Sequence, residues 1–401
     1  MLELEEALAR ILAVVPTPFR ETVSLDQAQG RIALDAIIAG IDLPVFDNSS
    51  MDGYAVRAAD VAAASPRVPV TLRLTGLVPA GQGSSGELAA GCCVRLFTGS
   101  PMPQGADAVV MQEDTRIVPG QPEEVLVVDP VKPWENVRFC GEDMKRGTML
   151  VQPGDRLSLG RLMLLAAEGV GQISVGRRPV VGVIATGSEL KEAGEALGPG
   201  QIYESNRVGL ALLVQRAGGI ARTYPLVPDV PEAAREALDR AFAECDLVVS
   251  CGGVSVGEMD FTKSAFEQLG GKIQFWKVAI KPGKPFSFGR LADKFLFGLP
   301  GNPISAVVTF LVLVRPALER WQGAGAIELP GSPGVLAEPL ANPGGRRHFV
   351  RVCMDAQGNV RSAGVQASHT LSSLLSANGL VDVPARTTLG QGTTVRVLRW
   401  E

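Results

Sequence analysis

The chain has 401 residues, 46% of them hydrophobic and 20% charged, and a formal net charge of −4. That length exceeds what a single hydrophobic core sustains, so several domains are expected. The slight acidity excludes a broad basic face of the kind that holds nucleic acid, so an anionic ligand must be met by a local cluster of donors.

The first segment, MLELEEALARILAVV, is acidic and amphipathic, and reads as a helix rather than a signal peptide. The longest apolar run, AVVTFLVLV at 306–314, is too short to span a membrane. Six cysteines occur without any C-x-x-C pair, so buried reduced thiols are expected instead of a zinc site, and a cytoplasmic location with them. The two histidines, His348 and His369, lie near no nucleophile elbow. Carboxylates and lysines are left as the chemical candidates, which points to phosphoryl, nucleotidyl or metal-assisted chemistry.

Residues 46–135 are rich in Val, Gly and Pro and hold short alternating runs, VPVTLRL and EEVLVV, which predict a small β module. It is inserted between helical flanks at 1–45 and 136–177. Residues 178–320 then alternate strands and helices. RRPVVGVIATG is a strand, SNRVGLALLVQRAGG a helix stopped by glycine, and IARTYPLVPD a strand. PEAAREALDRAFAE is a helix, DLVVS a strand and FTKSAFEQLGG a helix, followed by strands KIQFWKVAI, KPFSFGR and KFLFGL. Asn302 as N-cap and Pro303 at the first helical position open a long helix. This alternation predicts a parallel sheet covered on both faces. From 321 to 401, glycines, prolines and short strands predict a β-barrel. The fold class is multidomain α/β plus β.

In such a sheet, ligands sit beyond the carboxyl ends of the strands. Five polar loops fall there: TGSEL (186–190), VPD (227–229), SCGGVSVGEMDF (250–261), KPGKP (281–285) and LPGNP (299–303). The third contains a G-x-x-x-x-G, but Glu258 stands where a P-loop needs Lys, and the spacing of a dinucleotide fold is also missing.

Further motifs have no simple structural purpose: DNSSMDGYAVR (47–57), RLFTGSPMPQGADAVVMQED (95–114) and CGEDMKRG (140–147). Together with TGSEL, SCGGVSVGEMDF, WKVAIKPGKP and LPGNPISA, in this order, they resemble the molybdopterin molybdenumtransferase family, which includes the E domain of gephyrin. The resemblance covers nearly the whole chain. It implies a discontinuous helical domain, an inserted β domain, an α/β domain of the molybdopterin-binding type and a C-terminal β-barrel, in an elongated homodimer. It also implies the reaction of adenylylated molybdopterin with molybdate to give molybdenum cofactor and AMP, with Mg²⁺ or a similar divalent ion. A molybdopterin adenylyltransferase and apo-molybdoenzymes are the implied partners before and after this step.

By the same resemblance, Gly252, Gly253 and Ser255 meet the pterin or its phosphate through backbone N–H groups and a hydroxyl. Asp260 is a catalytic or metal-positioning carboxylate, although its place beside the next helix also suits capping. Glu189 and Asp229 join it around Mg²⁺, whose preference is for hard oxygen ligands. Lys281 and Lys284 anchor molybdate, a compact dianion that two ammonium groups match. Lys277 touches the substrate phosphate or ion-pairs within the sheet. Pro300, Gly301, Asn302, Pro303 and Ser305 form an anion-binding helix start. Arg347 and Ser368 close the molybdate pocket, with Arg346 and Ser372 equally placed. Asp52 and Thr98 face the site across the dimer, and Asp143 helps link the domains there; each also suits a turn. One departure is Ser188, where many relatives carry Asp. Two other readings are distinguished by chain extent. A molybdopterin adenylyltransferase shares only 178–320, and a gephyrin-like scaffold needs fused partner domains.

Overall fold

The computed structural model describes residues 1–83, 86–118, 120–253 and 261–400. The chain divides into two units, one of residues 1–35, 152–163 and 171–401, the other of 36–151 and 164–170.

In the first unit a six-stranded sheet runs in the order Ile220–Thr223, Val180–Ala185, Leu247–Cys251, Lys294–Leu299, Ser287–Leu291, Lys272–Trp276. The first four strands are parallel, and the three of them that lie innermost are almost wholly buried. That is why they read as continuous apolar runs. The sheet is mixed, however, and the expectation of an all-parallel one is corrected. Leu291 pairs directly with Lys294, a connection far too short for a crossover, so Ser287–Leu291 folds back antiparallel. This reversal sets Ser287 opposite Gly298, near the carboxyl end of its neighbour. Residues 281–285 are thereby delivered to the same edge as the loops that follow the parallel strands.

Helices Asn206–Arg216 and Pro303–Thr309 pack on one face together with Ala7 and Ile11 of Leu4–Leu12. Helices Pro231–Glu244 and Phe261–Gln268 cover the other through Leu238, Phe242 and Phe266. The long helix expected after Asn302 is present with one irregularity. A π-helical turn, Phe310–Val314, separates Pro303–Thr309 from Arg315–Trp321. Pro316 has no N–H for the carbonyl four residues back, and the wider turn absorbs the clash that its ring would cause there.

KIQFWKVAI does not form one strand. It breaks at Lys277, which has φ of 71°, and Ile280–Lys281 pairs instead with the C-terminal strand Arg347–Met354. That strand belongs to a barrel whose ring runs through Asn359–Ser362, Gly331–Leu336, Thr394–Leu398 and Gly379–Val383 back to itself. Alternate valines, among them Val350, Val352, Val381, Val383, Val395 and Val397, fill the interior. The flanks at 1–45 and 136–177 carry the helices Leu4–Leu12 and Leu159–Ala167, with short strand pairs such as Arg20–Ser24 on Gln172–Gly176.

The second unit is built on a six-stranded sheet in the order Ala108–Met111, Gly53–Val56, Cys92–Leu96, Val70–Val78, Gln121–Val127, Thr115–Val118. Its two faces bury separate apolar sets, Tyr54 and Val110 on one and Ala55 and Val109 on the other.

Phe288 is 1% exposed and stands among Phe275, Phe295 and Phe297, its ring 5.1 Å from that of Phe297. Truncating it leaves a cavity that these rigid rings cannot fill. Phe288→Ala is therefore expected to cost about 3–5 kcal/mol in urea unfolding. A loss below about 1 kcal/mol would mean that the aromatic cluster does not hold the sheet.

Candidate functional site

The strand Leu247–Cys251 ends in Gly252 and Gly253, whose φ values are 90° and 64°. Only glycine adopts these without strain, and space forbids anything larger. A Cβ on Gly252 would collide with the Thr186 carbonyl oxygen, and one on Gly253 would lie 2.5 Å from Thr262 Oγ1. Gly252 also approaches Gly301, its Cα within 3.7 Å of where a Gly301 side chain would begin. Three loop starts thus meet at one point. The side-chain hydroxyls of Thr186 and Thr262, buried around this turn, have no hydrogen-bond partner among the described residues. Ser255 and Asp260, expected to act here, lie outside the described residues.

Asn206 ties this point together. Its Nδ2 donates to Gly301 O at 2.7 Å and to Cys251 Sγ at 3.1 Å, and the Cys251 thiol donates to Pro300 O at 3.1 Å. Burial pushes the Cys251 thiol up to about 12, so it stays protonated and structural.

On the adjacent side, Thr186 bridges to Val227 in parallel register. Ser188 and Asp229 bond reciprocally: Ser188 N donates to Asp229 Oδ2 at 3.1 Å, and Asp229 N donates to Ser188 Oγ at 2.9 Å. Ser188 therefore clamps the two loops that carry the expected metal carboxylates. The Glu189 carboxylate folds back over Gly187, so close that a Cβ there would fall 2.7 Å from Oε2. Glu189 and Asp229 are hard oxygen donors on joined loops and fit a divalent cation in kind. Among the described residues no cluster of three such side chains forms a metal site.

The KPGKP loop packs on the long helix. A Cβ on Gly283 would strike Thr309, and the φ of 107° at Gly283 again calls for glycine. Lys281 and Lys284 are exposed, and neither ammonium has a hydrogen-bond or ion-pair partner among the described residues. Lys277 is placed differently, its Nζ 3.8 Å from the centre of the Trp276 ring. Ser305 is buried on the helix, where its carbonyl accepts from Thr309 Oγ1. Pro303 starts that helix, but Asn302 does not cap it with its side chain. Instead Asn302 Nδ2 donates to Ser368 Oγ at 3.1 Å, and Ile304 N donates to Ser368 O at 3.2 Å. Ser368, and not Ser372, is the serine bonded at the helix start among the described residues.

Of the two arginines left open by the sequence, Arg347 turns its charge elsewhere. It grips Asp382 through both carboxylate oxygens and bonds Glu5. Its neighbour Arg346 donates to Ile280 O at 2.9 Å, next to Lys281. Arg347 opens the strand, whereas Arg346 lies in the bend before it, and the two side chains reach different partners.

Three residues at the site gave no clear signal in the sequence. Asn206 looked like any first helical residue. Arg351 is 1% exposed, and it donates to the carbonyls of Val365 and Ala367 at 2.7 and 3.2 Å, which holds the segment leading into Ser368. His348 pairs in register with Lys281, is 4% exposed, and has no partner on either ring nitrogen among the described residues. The one available cue was a cationic residue recurring along RRHFVRV.

In the second unit, Thr98 donates to Asp52 Oδ1 twice, from its backbone N at 2.7 Å and its hydroxyl at 2.8 Å. These donors, the backbone one foremost, hold the Asp52 carboxyl below its usual range. Asp143 is exposed, and its backbone N donates to Leu43 O.

A sheet edge of glycine-opened loops beside two unneutralised lysines marks a protein built to bind a phosphorylated or oxyanionic ligand on an α/β domain. Known proteins give that class its particulars. Residues 2–169 match the MoeA N-terminal region (domain I and II), 182–320 a probable molybdopterin binding domain, and 333–400 the MoeA C-terminal region (domain IV). The chain is 38% identical to the molybdopterin molybdenumtransferase of Haemophilus influenzae, over 99% of this chain and 98% of that one. It is 41% identical to molybdopterin molybdenumtransferase 2 of Mycobacterium tuberculosis, over 90% of each. The crystal structure of the molybdopterin biosynthesis moeA protein from Pyrococcus horikoshii OT3 superposes with a TM-score of 0.81 at 31% identity, covering 100% of both chains. The chain belongs to the molybdopterin molybdenumtransferase family.

His348 supplies a pH signature of this region. Burial, then the charges of Lys281, Arg351 and Arg346, lowers its pKa from 6.5 to about 4. The unfolded chain takes up this proton near the ordinary value and the folded chain only near 4. Stability from this group is thus complete above the ordinary value and is lost as pH falls through the interval between the two. The slope there is about 1.4 kcal/mol per pH unit. His348→Gln should flatten it in urea melts taken across that window. An unchanged slope would show that His348 is not held neutral by its surroundings.

Proposed function

We propose that this edge receives adenylylated molybdopterin and molybdate and releases AMP on forming molybdenum cofactor. As a member of its family, the chain is a transferase that inserts molybdenum in molybdenum cofactor biosynthesis. The observation that carries the residue-level reading is the pair Lys281 and Lys284, two cations with no partner among the described residues, on a loop packed against the long helix. A compact dianion neutralises them without a bidentate fork, which suits a tetrahedral oxyanion.

The pterin phosphate lies at the Gly252–Gly253 turn, where the absence of side chains lets backbone donors approach. Asn302 and Ser368 close the far side. Glu189 and Asp229, with Asp260, would hold Mg²⁺ at the phosphoanhydride. A bound divalent ion supplies neutralisation of charge on the phosphate oxygens. The protein's own part is to orient the two substrates so that a molybdate oxygen faces the phosphorus. Ser188 fixes the two carboxylate-bearing loops for this purpose.

The catalytic unit is a homodimer in this reading. Asp52, ionised and half-buried, acts with Thr98 on the sheet edge of the other copy, with Asp143 near the junction. Supply by a molybdopterin adenylyltransferase and delivery to apo-molybdoenzymes place the work in the cytoplasm. The six cysteines are all free thiols, in keeping with a reducing compartment. Among the described residues no helix is long and apolar enough to cross a membrane.

Incubation with adenylylated molybdopterin, Mg²⁺ and molybdate should release AMP only when molybdate is present. AMP release that ignores molybdate, or none at all, would overturn the reading. Asp52→Ala and Asp260→Ala homodimers should each be inactive, and subunit exchange between them should restore one working site per mixed dimer. Failure to recover activity, with exchange verified by mass, would remove Asp52 from a site shared between copies.

A further inference from the structure

Away from the sheet edge, a cavity of about 220 Å³ is lined by Arg156, Arg216, Arg315, Arg399, Glu319 and Trp400, among others. The helix Asn206–Arg216 separates the two places: Asn206 bonds at the edge, and Arg216 reaches the cavity about 15 Å along the axis. Four guanidiniums against one carboxylate leave the lining with a formal charge of +3, in a chain whose net charge is −4.

The carboxylate is unevenly used. Glu319 is 2% exposed, and its Oε1 accepts from Arg156 Nη2 and Arg315 Nη2, each at 2.9 Å. Its Oε2 is buried with no partner among the described residues. Burial raises the pKa of this carboxyl, against the pull of Arg315 and Arg156. The side chains of Arg216 and Arg399 have no hydrogen bond or ion pair among the described residues. The cavity therefore offers unspent donors on two arginines and one unspent acceptor on a buried oxygen. For the buried Glu319 oxygen the unmade bond costs the full desolvation of the group, whereas Arg216 is exposed and Arg399 half-buried, so their donors stay available to an arriving anion.

Few small anions complete both halves. Sulfate presents only acceptors near neutral pH and would set a lone pair against Glu319 Oε2. A phosphate monoester dianion fails in the same way. Monohydrogen phosphate offers oxygens to the arginines and a P–O–H to the carboxylate. We propose that this cavity is a binding site for inorganic phosphate in its monohydrogen form, held by Arg216 and Arg399 and read by Glu319. It is independent of the reading of Lys281 and Lys284.

Calorimetric titration of the full chain tests this at constant ionic strength and about pH 8, where a monoester has lost its second proton. Inorganic phosphate is expected to bind at least about tenfold more tightly than sulfate or glycerol phosphate, the size of one lost charge-assisted bond. The double variant Arg216→Ala/Arg399→Ala should lose at least that factor and keep its phosphate-free melting temperature, because it breaks no existing bond. Glu319→Gln should bring phosphate and sulfate to similar affinity. If that variant does not fold, the arginine variant decides the matter alone. Equal binding of sulfate, tighter binding of the monoester, or no phosphate binding would each overturn the proposal. So would undiminished binding by the arginine variant, which would place the phosphate elsewhere, such as at Lys281 and Lys284.

Discussion

The close approach of Gly252 to Thr186 and Gly301 is the constraint on which the rest of the site depends. Where the sheet's central strands end, three chain segments come so near one another that no side chain fits between them. Asn206 then bonds two of those segments at once, through Cys251 and Gly301. A fixed backbone junction results, and beside it are the hydroxyls of Thr186 and Thr262, without a partner among the described residues. Preorganised donors of this kind have little left to reorganise when an anion arrives, which is what makes a rigid edge useful for positioning a phosphate.

Charge at the edge is arranged by a second device, the transfer of Ile280–Lys281 from the main sheet to the barrel strand Arg347–Met354. The break at Lys277 makes this possible, and the move carries Lys281 next to His348. Buried Arg351 holds the segment before Ser368, and Ser368 bonds the start of the long helix. Barrel, loop and helix are thereby coupled through polar contacts. A dianion bound there relieves repulsion that the folded protein otherwise carries, so binding and stability rise together.

Much of this was legible in the sequence. The buried strands announced themselves as apolar runs, and the pairing of Gly252 with Gly253 after DLVVS marked a close approach. Harder to read was anything set by a turn between neighbours. The Leu291–Lys294 hairpin reverses a strand, and the Lys277 break divides one, yet neither has a distinctive local pattern. The choice between Arg346 and Arg347 depended on where the strand begins and on Asp382 and Glu5, far away in the chain, so the sequence alone left it open. His348 was set aside and Arg351 passed over because a buried basic residue on a β strand contradicts the usual pattern, and only the fold shows what surrounds each. Among the family motifs, the structure brings together Gly252 and Gly301 by close backbone approach, and Ser188 with Asp229, Asn302 with Ser368 and Asp52 with Thr98 by side-chain hydrogen bonds.

The central claim is that the unneutralised charges of KPGKP hold a tetrahedral dianion. Equilibrium binding of molybdate to the full-length protein, without pterin, measures this directly when the wild type is compared with Lys281→Ala/Lys284→Ala. Each charge-assisted contact contributes roughly 1.5–3 kcal/mol, about ten- to a hundredfold in affinity. The double variant should therefore weaken molybdate binding by at least about a hundredfold while leaving its melting temperature in molybdate-free buffer the same or higher. Molybdate binding that is unchanged in the double variant would contradict the account, because the two free lysines would then not be the dianion's anchors.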